Sequence, residues 1–102
     1  MSGEPGLIRE SFRVVADLIA GEEAEAAADY VEETYPDAAI HRFPAYISIE
    51  RERELRFDVE DLQERLGRSY DIPTFLVIFA SYIGRVSVDD RWVTLKSEIE
   101  SR

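Results

Sequence analysis

Few residues of this sequence have side chains suited to catalysis or metal binding. The only histidine, His41, lies in an apolar stretch beside Phe43, and there is no cysteine. A carboxylate-bridged metal site of the helical type needs Glu-x-x-His pairs, because residues three apart project from one face of a helix. The residue three positions before His41 is Ala38, so this pattern is absent. The chain also lacks a Gly-x-Ser-x-Gly segment that would present a nucleophilic serine.

Close pairs of acidic residues would be needed for the other common chemistry, general acid–base catalysis. They occur at Glu22-Glu23, at Glu32-Glu33 and within residues 50–54. Such catalysis requires a cleft that separates the pKa values of the two carboxyl groups. These pairs fall at a predicted helix start, on a helix face and in a charged turn, where water surrounds each group. The sequence therefore predicts no catalytic residue and no cofactor.

The charge of the chain is strongly negative and unevenly distributed. Its 102 residues include 22 acidic and 12 basic ones, for a formal net charge of −10. Between Arg13 and Arg42 there is no Lys or Arg, and the acidic residues are Asp17, Glu22, Glu23, Glu25, Asp29, Glu32, Glu33 and Asp37. Because nucleic acids and anionic lipids bind clustered Lys and Arg, we expect neither as a partner. The segment is interpreted as a solvated helix face or as a surface that steers the protein toward a basic partner.

Length and composition indicate one domain outside the membrane. No apolar run reaches the roughly 20 residues of a membrane span. The N-terminal residues MSGEPG have neither the basic start nor the apolar core of a secretion signal. We therefore expect a cytoplasmic protein, with residues 1–10 as a short flexible tail and residues 11–102 as a single domain.

The hydrophobic pattern predicts an α+β fold. We expect two strand–helix–strand–strand halves that form a curved, mainly antiparallel sheet packed against two to three helices. Apolar residues at helical spacing predict one helix over residues 22–35 and a second that follows Asp58 and ends at Gly67. Alternating or continuous apolar residues predict strands over residues 12–19, 39–43, 45–50, 55–57, 75–83, 86–88 and 92–95.

The segment at the end of the most apolar run has the composition of a binding surface. Residues 75–80 lack polar alternation and are predicted to form a central strand covered on both faces. They are followed by Ser81, Tyr82, Ile83, Gly84 and Arg85. This segment combines a hydroxyl, an aromatic ring, a glycine that permits a bend and a cation. Such a combination is typical of an interface hot spot. The segment is interpreted either as such a surface or as an ordinary strand end.

Several segments, taken together in their order and spacing, resemble a known family. The sequence is similar to the effector, or coupling, proteins of soluble bacterial multicomponent diiron monooxygenases. The resemblance covers roughly residues 22–97 and rests on FPAYISIE (43–50), LGR with YD (66–71), FLV (75–77), SYIGR (81–85) and WVTL (92–95).

The resemblance implies a protein that carries no cofactor and performs no chemistry itself. Such effectors bind the diiron hydroxylase, modulate access of substrate and O2, and couple NAD(P)H use to hydrocarbon hydroxylation or epoxidation; they meet the reductase or ferredoxin only indirectly. In the methane-oxidising members, small hydroxyl residues precede the Ile-Gly-Arg segment. Here only Ser81 keeps that character, and Tyr82 is a bulky departure. The partner interface implied for this chain is Phe75, Ala80, Ser81, Tyr82, Ile83, Gly84 and Arg85.

Two other functions are compatible with the pattern. Repeated strand–helix–strand units also build ferredoxin-like regulatory modules that bind a small ligand. A small cofactor-independent oxygenase or isomerase that uses His41 and Trp92 is the third hypothesis. A ligand-binding module would be stabilised by its ligand, and an enzyme would be active in isolation, whereas an effector needs its hydroxylase.

Overall fold

The computed structural model describes residues 12–98. Seven strands and three helices lie within this range. Their bounds, in chain order, are β1 Arg13–Ile19, α1 Glu22–Thr34, β2 Ala39–Arg42, β3 Tyr46–Glu52, β4 Glu54–Asp58, α2 Val59–Leu66, α3 Ile72–Val77, β5 Phe79–Ile83, β6 Arg85–Asp89 and β7 Trp92–Lys96. The predicted tail, residues 1–10, lies outside the described residues.

The strands form two antiparallel sheets. One has the order β2-β3-β1-β5 and the other the order β4-β7-β6. The predicted α+β class with mainly antiparallel pairing and two to three helices is confirmed, and its strands are divided between two sheets. The chain passes between the sheets at two sharp corners, Arg53 and Gly84, which both have positive φ.

Both sheets contribute to one hydrophobic core. The inner face of the four-stranded sheet supplies Val14, Ala16, Leu18, Ile47 and Ile49, and the three-stranded sheet supplies Leu55, Phe57, Val93 and Leu95. Each of these side chains is at most 1% exposed. The helices within residues 12–98 pack against this inner side.

Helix α1 packs against the core through small residues. Its buried positions are Ala24, Ala26, Ala27, Ala28, Tyr30 and Val31. Alanine allows a close approach between the helix and the sheet and is also the best helix former. The helix predicted over residues 22–35 is confirmed as far as Thr34, and it ends just before Pro36, which cannot continue it.

Helix α2 begins at an aspartate that also binds an arginine. The Asp58 side chain accepts hydrogen bonds from the backbone N–H groups of Glu60 and Asp61, so it caps the helix as predicted. The Arg91 guanidinium donates two hydrogen bonds to the same carboxylate, at 2.9 and 2.6 Å. The cap thereby links α2 to the turn between β6 and β7. Gly67 ends the helix in the left-handed conformation, also as predicted.

Helix α3 corrects the prediction for the apolar run. Residues 75–77 are helical, and the strand that was expected from residue 75 begins at Phe79. Asp71 caps the helix by accepting from the Thr74 N–H, and Pro73 lies in the first turn. Proline suits that turn because its missing N–H has no helical partner there. Within this apolar run, Phe75 faces the core and is fully buried. Val77 lies on the opposite side of the helix and is 73% exposed.

Within residues 12–98, no helix is long and apolar enough to cross a bilayer. The longest, α1, has 13 residues, several of them acidic. A membrane-spanning helix needs about 20 mostly apolar residues.

The Asp58–Arg91 pair predicts a pH-dependent contribution to stability. The hydrogen bonds from Arg91 hold the pKa of the Asp58 carboxyl below its ordinary value. The stabilisation is therefore present at neutral pH and is lost as the pH falls through the lowered pKa. We expect Asp58→Asn to reduce the free energy of unfolding by about 2 kcal/mol at neutral pH, with a smaller difference from wild type in acid.

Urea unfolding at several pH values measures this effect. Asp71→Asn is the matched control, because Asp71 caps a helix without an arginine and asparagine caps helices about as well, so its replacement should cost much less. Equal losses for the two variants, or a pH-independent loss for Asp58→Asn, would contradict the prediction.

Candidate functional site

Most of the predicted interface residues lie together on an exposed strand. Ala80, Ser81, Tyr82 and Ile83 belong to β5, which is an edge strand of the four-stranded sheet, and all four are exposed. Arg85 is exposed at the start of β6, an edge strand of the other sheet. The segment from Ala80 to Arg85 is called the β5–β6 segment below. It runs along the free edges of both sheets.

Phe75 is not part of this surface. Its side chain is fully buried, so it cannot contact a partner in this conformation. It supports the surface from within instead: its ring lies 5.1 Å from the ring of Phe79, which in turn lies 6.3 Å from that of Tyr82, both edge to face. The half-exposed Tyr82 is thus joined to the core by a series of aromatic contacts.

The side chains of β5 point to both sides of its sheet. Ser81 pairs with Asp17 and Ile83 with Val15, so these two lie on the outer face. Tyr82 pairs with Ala16 and lies on the side of the core, at the margin of the sheet. The register shifts between Asp17 and Leu18, where Ala80 is the extra residue of the bulge.

Gly84 makes the corner between the two edge strands possible. Its φ is +125°, a value that residues other than glycine rarely adopt. A Cβ atom at this position would lie 2.9 Å from the carbonyl oxygen of Lys96 and 3.1 Å from a methyl group of Val14. The predicted bend is confirmed, and its close packing fixes the direction in which the exposed residues on either side point.

The outer face of the four-stranded sheet continues this surface. His41, Ser48, Asp17 and Ser81 oppose one another in register across the four strands, and therefore form one row on this face. Apolar groups flank the row: Ile19 is 49% exposed and Phe43 46%. The Phe43 ring stacks on Tyr46 with 4.8 Å between centroids. We call this surface the open face.

Acidic groups of α1 form ion pairs with arginines outside this helix. Glu25 contacts Arg42 at 3.1 Å, and Glu33 contacts Arg65 at 2.8 Å. Glu22 is 2.8 Å from Arg68. The interpretation of α1 as a plain solvated face is therefore incomplete, because part of its charge is neutralised within the molecule. Each pair is exposed and contributes little to stability.

The LGR and YD residues of the resemblance support the fold. The Tyr70 hydroxyl donates a hydrogen bond to Glu23 at 2.9 Å, and burial together with this bond raises the pKa of Tyr70. Arg68 binds Glu22 at the start of α1. These contacts attach the loop before α3 to α1, away from the β5–β6 segment.

His41 and Trp92 are not brought together. His41 is on the edge strand β2 of the four-stranded sheet, whereas Trp92 is on the central strand of the other sheet. Arg56 lies over the Trp92 ring, 4.1 Å from its centroid. In the described part of the chain, no three His, Asp or Glu side chains are arranged to hold a metal ion.

Comparison with known proteins gives the family. The model of the MmoB/DmpM family matches residues 13–96. The chain belongs to the MmoB/DmpM family. The stimulatory component DmpM of phenol 2-monooxygenase from Pseudomonas sp. (strain CF600) is 38% identical to it over 55 residues, which are 54% of this chain and 61% of that protein. This match thus spans less than two thirds of that relative.

Solved structures of this family have the same fold. A chain of a phenol hydroxylase–regulatory protein complex has a TM-score of 0.73 and 31% identity, over 82% of this chain and 97% of that one. Regulatory protein B of soluble methane monooxygenase has a TM-score of 0.69 and 25% identity, over 87% of this chain and 67% of that one. The resemblance inferred from the sequence is confirmed.

Sequence reasoning missed the open face as a part of the candidate site. Alternation along β1 indicates that Asp17 and Ile19 face away from Ala16 and Leu18. Which strands flank β1, and in what register, cannot be deduced from that alternation. Asp17 and Ser81 are 64 residues apart and meet only through sheet pairing.

We expect Gly84→Ala to destabilise the protein by about 3 kcal/mol. The added methyl group meets a backbone carbonyl that cannot move freely, and the positive φ adds strain. Gly67→Ala is the control, because Gly67 also has positive φ but has nothing within 4 Å of the added Cβ; its cost should be about 1 kcal/mol. Urea unfolding distinguishes the two. Similar losses would show that the close contact at Gly84 is unimportant.

The different positions of Phe75 and Tyr82 predict different stabilities for their alanine variants. Phe75→Ala leaves a cavity in the core and should cost about 3–5 kcal/mol. Tyr82 is 50% exposed, so Tyr82→Ala should cost about 1 kcal/mol or less. Thermal or urea unfolding measures both values. A large loss for Tyr82→Ala would mean that its ring is part of the core.

Proposed function

We propose that this protein is the regulatory component of a multicomponent diiron monooxygenase. It binds the hydroxylase, modulates access of substrate and O2 to the diiron site, and couples NAD(P)H use to hydrocarbon hydroxylation or epoxidation. It performs no chemistry itself, acts in the cytoplasm, and meets the reductase or ferredoxin only indirectly. The observation that carries the proposal is the family match over residues 13–96.

The relatives support the choice of partner. One is a stimulatory component of phenol 2-monooxygenase, and another was solved in a phenol hydroxylase–regulatory protein complex. The solved complex shares its fold with 82% of this chain, and the family model spans residues 13–96. The two-sheet architecture also argues against the ferredoxin-like alternative, which is built on one continuous sheet.

We assign hydroxylase docking to the β5–β6 segment. Tyr82 and Ile83 are each about half exposed, and Arg85 lies just beyond the corner at Gly84. Exposed aromatic and aliphatic side chains beside an arginine are the groups that contribute most to protein interfaces. The tight corner and the aromatic contacts beneath Tyr82 hold these groups in place before binding, which lowers the entropic cost of association.

A regulatory effect requires that the protein prefers one hydroxylase conformation. A bound protein shifts a conformational equilibrium only to the extent that its affinities for the two states differ. Docking through few rigid side chains suits this task, because a small movement of the hydroxylase surface changes several contacts together.

We expect Tyr82→Ala and Arg85→Ala to weaken binding to the hydroxylase about tenfold each. Product formed per NAD(P)H consumed should fall at protein concentrations that saturate the wild type. The measurements are a binding titration and the ratio of product to consumed NAD(P)H in the reconstituted system.

Val88→Ala is the matched control for this experiment. Val88 is 50% exposed, as Tyr82 is, but it lies on β6 beyond the segment. Its variant should bind and couple as the wild type does. Unchanged binding and coupling for both Tyr82→Ala and Arg85→Ala would remove the site assignment. Turnover by the isolated chain would overturn the proposed function.

A further inference from the structure

A shallow pocket of about 390 Å³ opens on the outer face of the four-stranded sheet. It is lined by Asp17, Ala45, Tyr46, Ala80 and Ser81. It therefore lies where the open face meets the β5–β6 segment. A partner that docks on that segment would cover the pocket as well.

The pocket contains a carboxylate without a cationic partner. Asp17 accepts one hydrogen bond, from the Ser81 hydroxyl at 2.8 Å. Among the residues that the structure describes, no Arg, Lys or His pairs with Asp17. The acidic residues of α1 differ in this respect, since Glu22, Glu25 and Glu33 each bind an arginine outside the helix.

The position of this carboxylate is itself unusual. Asp17 lies in the middle of β1, which has a paired strand on each side. Aspartate is disfavoured in strands, and a charge on a sheet face costs stability when that face is covered. The Ser81 hydroxyl orients the carboxylate but leaves its charge in place.

The walls of the pocket suit a long cationic side chain. Tyr46 contributes an aromatic ring, which is braced by the stacked ring of Phe43. Ala45 and Ala80 are small and leave room for a side chain to enter. Aromatic rings attract cations through their electron-rich faces, and a carboxylate adds a charge-assisted hydrogen bond.

We propose that this pocket accepts a lysine or arginine side chain of the hydroxylase. The inference rests on the proposed function and adds a specific contact to it. Its basis is charge complementarity. The pocket holds a carboxylate without a cationic partner beside an aromatic ring, and the protein has a net charge of −10. A cation of the partner complements both features. The Asp17–Ser81 hydrogen bond keeps the carboxylate in place for that cation.

Binding of the Asp17→Asn variant to the diiron hydroxylase of the proposed system tests the inference. Asparagine has nearly the same shape and can still accept the hydrogen bond from Ser81, so the fold should be retained; urea unfolding verifies this. We expect about tenfold weaker binding at low ionic strength and a smaller dependence of affinity on salt. Asp17→Lys should bind more weakly still, because it repels the partner's cation.

Glu64→Gln is the control for the loss of one negative charge. Glu64 is exposed on α2, on the side of the molecule away from the open face. An equal loss for Glu64→Gln and Asp17→Asn would indicate general electrostatic steering and would overturn the inference. Unchanged binding of Asp17→Asn would also overturn it.

Two further outcomes are distinguishable. If the wild type itself does not bind the hydroxylase, the proposed function fails, and the inference with it. If the isolated chain forms a dimer that Asp17→Asn dissociates, as measured by sedimentation, a second copy occupies the pocket and the inference is overturned. Weaker binding of Asp17→Asn by a monomeric protein, with Glu64→Gln unaffected, supports it.

Discussion

The close approach of Gly84 to the Lys96 carbonyl oxygen is the constraint on which the arrangement of the molecule depends. The chain must leave the edge of one sheet and enter the edge of another within a single residue, and the space at that corner holds no side chain. The inner faces of both sheets then meet in one core with residues of the described helices. The exposed groups near the corner are therefore positioned by backbone packing at Gly84 together with the aromatic contacts beneath Tyr82.

The residues that stabilise the fold differ from those that we propose to contact the hydroxylase. The LGR and YD residues and the cap at Asp58 bind groups on neighbouring elements and hold the helices in place. Tyr82, Ile83 and Arg85 contribute little to the core and are available to a partner. Phe79 links the two sets of residues, because its ring contacts both the buried Phe75 and the exposed Tyr82.

Local signals predicted most of the elements, and longer-range features could not be predicted. Asp58 and Gly67 delimit α2 as predicted, because helix capping depends on nearby residues. The alternation of apolar and polar residues in β3 likewise predicts that Ile47 and Ile49 share one face of the strand. Continuous hydrophobicity from Phe75 predicts a strand, but it does not distinguish a buried strand from a short helix. Asp71 followed by Pro73 is the local signal that indicates the start of a helix here. The division into two sheets and the pocket at Asp17 depend on strand register, which alternation alone does not determine.

The bulge in β5 has a consequence for the manner of recognition. An extra residue at Ala80 interrupts the regular spacing of N–H and C=O groups along this strand. A free edge of that kind is a poor template for an added strand, whether from a partner or from an aggregate. If the proposed docking is correct, the side chains of this edge, and not its main chain, provide the specificity. Partner choice can then change by substitution at a few positions without any change of backbone.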